Sequence, residues 1–231
     1  MNCSRNFRIA RIARRAVAII IVAVIVVVMS SSAYAIGNVL PPGAQPHGTS
    51  RAQIAQALAP FTFSGNDSSF LPETPFQVLY GDPSTIAFTP DGSGLVESGS
   101  NTFTVQAGMS FFVPVFNVDD SPPVLGTFPT TAAGAQQYLF DPAQLGGRDF
   151  QIVVDGTTTP LGPSYVAGPV STPPLPDGGG THAITLGAFL SPLTPGTHTV
   201  TISGGIFGAL VPIIGVDFLR ITFTYQLTVA G

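Results

Sequence analysis

The chain has no lysine and no tryptophan, and among its 231 residues it has one cysteine, three histidines and two glutamates. Each shortage removes a class of chemistry. Zinc sites draw on several Cys or closely spaced His, and a single Cys near the N-terminus with three scattered His does not supply them. A serine hydrolase requires a nucleophile oriented by His and an acid, yet no Gly-x-Ser-x-Gly elbow occurs. A glycosidase needs two carboxylates facing one cleft. The only glutamates, Glu73 and Glu97, read as solvated loop charge. Without Trp, any carbohydrate-stacking platform would rest on Tyr and on seventeen Phe, most of which suit buried strand faces. Tyr138 and Tyr165, near loops, are the candidate ligand contacts.

The N-terminus is better supplied. Arg5, Arg8, Arg11, Arg14 and Arg15 precede an uncharged apolar run from Ala16 to Met29, and Ala33-Tyr34-Ala35 follows with small-x-small spacing. This is the three-part pattern of a secretory signal, with cleavage expected after Ala35. An uncleaved anchor is the competing reading, although the run falls short of the ~20 apolar residues of a spanning helix. Arg14-Arg15 lacks the rest of a twin-arginine motif.

Cleavage would remove five of the eight arginines and none of the twelve acids, leaving three positive charges against twelve negative, a net −9. Such a domain repels phosphate backbones and anionic lipid, which disfavours nucleic acid and electrostatic membrane binding. A glycan or an envelope protein is the expected kind of partner, and the place is outside the cell or in its envelope. Cys3 lies in the leader, so the mature chain has neither disulfide nor thiol. A chain of about 196 residues buries roughly 70% of its unfolded surface, enough for one core without staples.

Residues 36–48, rich in Pro and Gly, read as a mobile tether. Ser50 and Gln53 have capping-box spacing, so a short helix is predicted through Leu58 and stopped by Pro60. Ile54, Ala55 and Leu58 form its docking face, as a lid over one end of the domain. From Phe61 the period changes to two, and ten strands are predicted: 76–80, 85–88, 102–106, 110–118, 150–154, 157–161, 164–170, 182–190, 197–203 and 218–229. In the last, Leu219, Ile221, Phe223, Tyr225, Leu227 and Val229 alternate with polar residues, giving one buried and one wet face. Asp155-Gly156 is a type I′ hairpin dipeptide, and Pro195-Gly196 suits a type II turn. The predicted fold is an all-β, antiparallel β-sandwich, jelly-roll or immunoglobulin-like, over residues 61–231. Residues 119–136 and 171–181 read as loops. The apolar stretch 206–216 reads first as a buried, core-crossing connection and second as an exposed apolar patch for a partner or membrane contact.

Segments 102–118, 153–156, 192–203 and 218–229 resemble, in the same order, a family of uncharacterised secreted bacterial β-rich proteins. That family carries a Cys-x-Val-Pro-Ala-Gly-Lys stretch followed by Phe-Phe-Pro-Ile-x-Asn. Here Phe103 stands in place of the Cys, Met109 in place of the Lys, and the family's Trp-rich N-terminal segment is absent. The resemblance implies a secreted β-sandwich and carries no activity with it.

Three functions stay open. The leading one is a non-catalytic secreted module that binds a neutral polymer or an envelope partner. The second is a secreted hydrolase using His182 or His198 beside a loop aspartate; His198 is assigned to the wetter face of its strand. The third is an envelope-anchored structural protein. Calcium is the one cofactor considered, because Asp119 and Asp120 open a loop directly after a strand and that ion takes carboxylate oxygens. The bland reading of such aspartates is that they form turns. Thr-x-Thr pairs (Thr102/Thr104, Thr199/Thr201, Thr222/Thr224) suggest a hydroxyl array for ice or glycan, but without a period they read as ordinary strand surface.

Overall fold

The computed structural model describes residues 37–231. The expected leader, its expected cleavage position and Cys3 lie outside the described residues. The chain is mostly β, with two sheets and two α-helices. Ten strands follow in order: β1 Phe76–Val78, β2 Ala87–Asp91, β3 Gly94–Gln106, β4 Ser110–Asp119, β5 Gly147–Val154, β6 Thr157–Pro160, β7 Val166–Ser171, β8 His182–Leu190, β9 Gly196–Ile206 and β10 Leu219–Ala230. The four-stranded sheet has order β1-β4-β8-β7 and the six-stranded sheet β2-β3-β10-β9-β5-β6.

Pairing is mixed, where the sequence predicts it antiparallel throughout. β1 runs parallel to β4, and β10 runs parallel to β3 along its whole length, Leu219 to Ala230 opposite Leu95 to Gln106. Hairpin turns dictate antiparallel pairing only between the strands they join. Over a hundred residues separate β3 from β10, ample for the crossover a parallel pair needs. The predicted hairpin is present: Val154 faces Thr157, and Asp155 (φ 47°) and Gly156 (φ 84°) both take the positive φ that a type I′ turn demands.

The sheets share one apolar interior. Ile184, Leu186, Ala188 and Leu190 from β8 meet Ile152, Val200, Ile202 and the inner row of β10 in a single cluster. β10 alternates as expected, with Ile221, Phe223, Tyr225, Leu227 and Val229 buried and Arg220, Thr222, Gln226 and Thr228 exposed.

The first helix, α1 (Arg51–Thr62), begins with the predicted capping box. Ser50 Oγ accepts from Gln53 N–H at 3.2 Å, and Gln53 Oε1 accepts from Ser50 N–H at 2.8 Å. It continues through Pro60, contrary to expectation, because the one carbonyl deprived of a donor belongs to Gln56 on the solvent side. Nor does it cap one end of the domain. Ile54 and Leu58 pack on Phe76, Phe112 and Phe189, while Ala55 and Ala59 pack on Ala167, Val170 and Ala183, so α1 covers the outer face of the four-stranded sheet.

Residues 37–48 do not form a free tether. Val39 bridges to Leu190, Leu40 N–H donates to the Phe189 carbonyl at 2.8 Å, and Leu40 and Ala44 are buried. Apolar side chains inside this Pro- and Gly-rich stretch pin it to the fold. The predicted loop 119–136 ends in a second helix, α2 (Ala132–Phe140), N-capped by Thr131 and buried through Ala135, Tyr138 and Leu139. The apolar stretch 206–216 divides: Ile206 and Val211 are buried, whereas Ile213 and Ile214 at the tip are exposed. A Pro-containing 3-10 turn at Val211–Ile214 lifts the tip off the core.

Candidate functional site

The outward face of the six-stranded sheet is built from every second residue of its strands, and the register brings hydroxyls and amides into rows. One row runs Ser98, Thr222, Ser203, Gln151; the next runs Ser100, Thr224, Thr201, Val153. Two further rows align Thr102, Gln226 and Thr199, then Thr104, Thr228 and Thr197. All these residues are exposed or half-buried, and none of the four rows contains a charge. Neighbours within a row hydrogen-bond: Gln151 Nε2 donates to Ser203 Oγ at 3.1 Å, Thr199 Oγ1 donates to Gln226 Oε1 at 3.2 Å, and the Thr201 and Thr224 hydroxyls lie 3.4 Å apart. The Thr-x-Thr pairs therefore have an order across strands that their spacing along the chain conceals.

One end of this face is closed by a stack. The Phe207 and Phe218 rings lie 5.5 Å apart at 23°, the Arg148 guanidinium sits 3.8 Å over Phe207, and that of Arg220 sits 4.8 Å over Phe218. Flat guanidinium groups on ring faces hold these aromatics against the sheet. Arg220 also pairs with Asp91 at 3.1 Å. Two of the three arginines in the described residues thus stand together at the rim of the uncharged rows.

The six residues singled out from the sequence do not all converge on one site. Asp119, Asp120 and His182 do come together, where β4 ends beside the start of β8. His182 Nδ1 lies 2.8 Å from Asp120 Oδ2, and Asp120 Oδ1 accepts the Thr181 and His182 backbone N–H groups at 2.6 and 2.8 Å. Burial pushes the Asp120 carboxyl up, but these hydrogen bonds outweigh it and hold the group below its usual value. Burial, followed by the approach of Asp177, raises Asp119 against the opposing bond from Ser121 N–H. Ser121 Oγ donates to Asp177 and accepts from Gly180 N–H, both at 3.0 Å. The network fixes the 172–181 loop, and its one serine hydroxyl is committed to that task. No group of three or more His, Cys, Asp or Glu able to hold a metal ion occurs among the described residues.

His198 is remote from this network and does not face the wetter side. It stands an even number of residues from Val200 and Ile202, shares their face, and lies opposite the buried Leu227. Its Nδ1 is 2.6 Å from Asp155 Oδ2, and its Nε2 donates to the Thr194 carbonyl at 2.8 Å. Acceptors at both nitrogens favour the protonated ring, and its pKa rises, chiefly through the Asp155 hydrogen bond. Here the histidine clamps the hairpin turn to β9. Tyr138 is buried on α2 with its hydroxyl donating to the Leu125 carbonyl at 2.7 Å; burial, then Asp119, pushes it up to about 12. Tyr165 donates to the Leu40 carbonyl at 3.3 Å beneath the Arg51 guanidinium. Both hydroxyls are engaged by main-chain carbonyls of the fold.

Glu97 is a second residue that sequence reasoning misplaced. It belongs to β3, not to a loop, and lies opposite Ile221 on the inward face, half-buried, with its pKa raised by burial. The Gly- and Ser-rich stretch Gly94 to Ser100 conceals the start of the strand. Counting back by twos from Val105 through Phe103 would have put Glu97 inside. Comparison with protein-family models, with curated proteins and with solved structures gives no match.

Proposed function

We propose that the chain is an exported, non-catalytic β-sandwich module that binds a neutral polymer, a polysaccharide foremost, on the outward face of its six-stranded sheet. The observation that carries this reading is the set of four uncharged rows, hydroxyl and amide side chains apart from Val153, aligned across strands and exposed or half-buried among the described residues. Adjacent strands repeat at about 4.8 Å and alternate residues at about 6.6 Å, so the donors and acceptors form a flat lattice. A neutral polyhydroxylated chain meets such a lattice with many exchangeable hydrogen bonds and no charge to desolvate. The Phe207 and Phe218 edges at the rim supply apolar contact. The net charge of −9 expected after removal of the leader disfavours polyanionic partners.

The test is binding to immobilised neutral and acidic polysaccharides by the chain starting at Ile36, with Thr224→Glu as the variant. Retention on a neutral polymer, reduced at least tenfold in the variant at unchanged stability, is the expected result. Equal retention by both proteins, or none by either, removes the proposal. One observation favours a hydrolase as a second reading: the His182–Asp120 pair leaves the other ring nitrogen of His182 without a hydrogen-bond partner among the described residues. Release of polymer fragments that stops in His182→Ala, and persists in His198→Ala, would replace binding by catalysis. N-terminal sequencing of the exported product separates both from an anchored structural protein, since a start at Ile36 excludes the hydrophobic leader.

A further inference from the structure

Between the two sheets, near the loop that follows α1, lies a cavity of about 290 Å³. Its walls are largely apolar and aromatic, with Phe61 and Tyr80 on one side, Phe116 on a second, and Ile221 and Phe223 on a third. Thr62 to Asn66 border it where the chain reaches solvent. Among its polar lining residues, Asn66 and Asn117 are hydrogen-bonded to the Gly81 carbonyl and the Thr185 hydroxyl, and two others stand without such partners. The Glu97 carboxylate has no ion-pair or hydrogen-bond partner among the described residues. Tyr225, 2% exposed, lines the same space, and its hydroxyl likewise has no hydrogen-bond partner among the described residues.

Glu97 is half-buried, and a carboxylate that loses part of its water without gaining a partner costs free energy, which is why burial raises its pKa. This arrangement persists on the inner face of β3 although a Leu or Val there would fill the space at no such cost. Gly99, the next inward residue of β3, keeps the site open in a different way: a Cβ there would stand 2.7 Å from the Phe223 ring. The cavity is at the small end of ligand pockets, about 300–1,000 Å³, and shows their usual build of apolar walls with a few convergent polar groups.

We infer that this inter-sheet cavity binds a small organic cation, an ammonium head on an apolar body, with the head at Glu97 and Tyr225. A cation supplies the charge that the unpaired carboxylate lacks, and it is attracted by the aromatic faces around it. Burial and the neighbouring Glu97 raise the Tyr225 phenol, so it stays protonated and orients the head by hydrogen bonding. A neutral guest leaves Glu97 uncompensated, and an anionic guest is repelled by it. The site is separate from the polar sheet face, and the two stand or fall independently.

Phenethylammonium is a suitable probe, with 2-phenylethanol and phenylacetate as its neutral and anionic analogues, titrated calorimetrically into the full folded domain. The ammonium is expected to bind at least tenfold more tightly than the alcohol, and the carboxylate not at all. Glu97→Gln, close in shape, should abolish the preference for the amine while leaving polysaccharide retention unchanged. Tyr225→Phe should weaken amine binding by a smaller factor. In a carbon-detected titration of the glutamate carboxyl, saturating amine should move the Glu97 midpoint to lower pH, which a merely structural role would not produce. No saturable amine binding, equal affinity for amine and alcohol, or undiminished amine binding by Glu97→Gln overturns the inference.

Discussion

The two sheets solve burial in different ways. In the four-stranded sheet, β8 is buried from Ala183 to Leu190 on both faces, its even residues entering the shared interior and its odd residues Ala183 and Phe189 meeting the α1 layer. In the six-stranded sheet, β10 buries one face and leaves the other to water. A strand covered on both sides carries stability and cannot present a surface. A strand covered on one side has its outer residues released from packing, and there a binding lattice can be built without weakening the core.

The largest expected effect tests that division directly. Phe189 is 1% exposed, and its ring lies 4.8 Å from Phe76 and 5.2 Å from Phe112. Phe189→Ala should cost about 3–5 kcal/mol in urea unfolding, as aromatic truncation in a close-packed site does. Thr224→Ala, on the outer side of β10, should stay within about 0.5 kcal/mol. Comparable losses at the two positions would erase the contrast between the sheets. Next in size is the anchor of the covering layer. Ser50→Ala removes the α1 capping box and should cost about 1 kcal/mol. That is a melting decrease of about 2–4 °C for a domain of this size, measured by calorimetry.

The same contrast explains what could be read in advance. β10 was legible because one-sided burial writes itself as strict alternation, and its inner row is the one observed. All ten strands have a predicted counterpart, since β-branched runs between turn residues need no tertiary knowledge. Two-sided burial leaves no period, however, so β8 could be placed as a strand while the helix that covers it was assigned to one end of the domain. The helix α2 escaped notice because Gly134 and a run of small residues resemble a loop; Thr131 as N-cap with Ala135, Tyr138 and Leu139 at helical spacing is the signal it left. The polar rows were illegible in principle. Each Thr-x-Thr pair is ordinary on its own strand, and only the registers of β3, β9 and β10 make them a surface.

A smaller effect concerns the rim between the sheets, where the His198–Asp155 contact fastens the β5–β6 hairpin to β9. His198 is raised by its hydrogen bond to Asp155, so its contribution is complete below the usual histidine value of about 6.5 and is lost as pH rises through the folded-state value. Asp155 is pushed up by burial but held down overall by His198 and Thr199, so its share is present above about 3.9 and is lost on further acidification. Stability should therefore decline from pH 6 to pH 8 by about 0.2–1 kcal/mol, the range of partly exposed ion pairs. His198→Gln should flatten that decline in urea titrations at the two pH values. A slope unchanged in the variant would assign the pH dependence elsewhere.

The smallest stability effect is paired with the largest functional one. In Thr222→Val with Thr224→Val, two hydroxyls leave the centre of the outer rows while the β-branched shape that suits a strand is kept. Both side chains are at least partly solvated, and among the described residues the one side-chain hydrogen bond removed is the 3.4 Å contact between Thr224 and Thr201. Unfolding free energy should shift by no more than about 0.5 kcal/mol. Polysaccharide retention should nevertheless fall, because the polymer would face methyl groups that cannot replace its hydrogen bonds to water. If retention survives these valines while stability drops, the rows exist to hold strands together, and the six-stranded sheet is as structural as its partner.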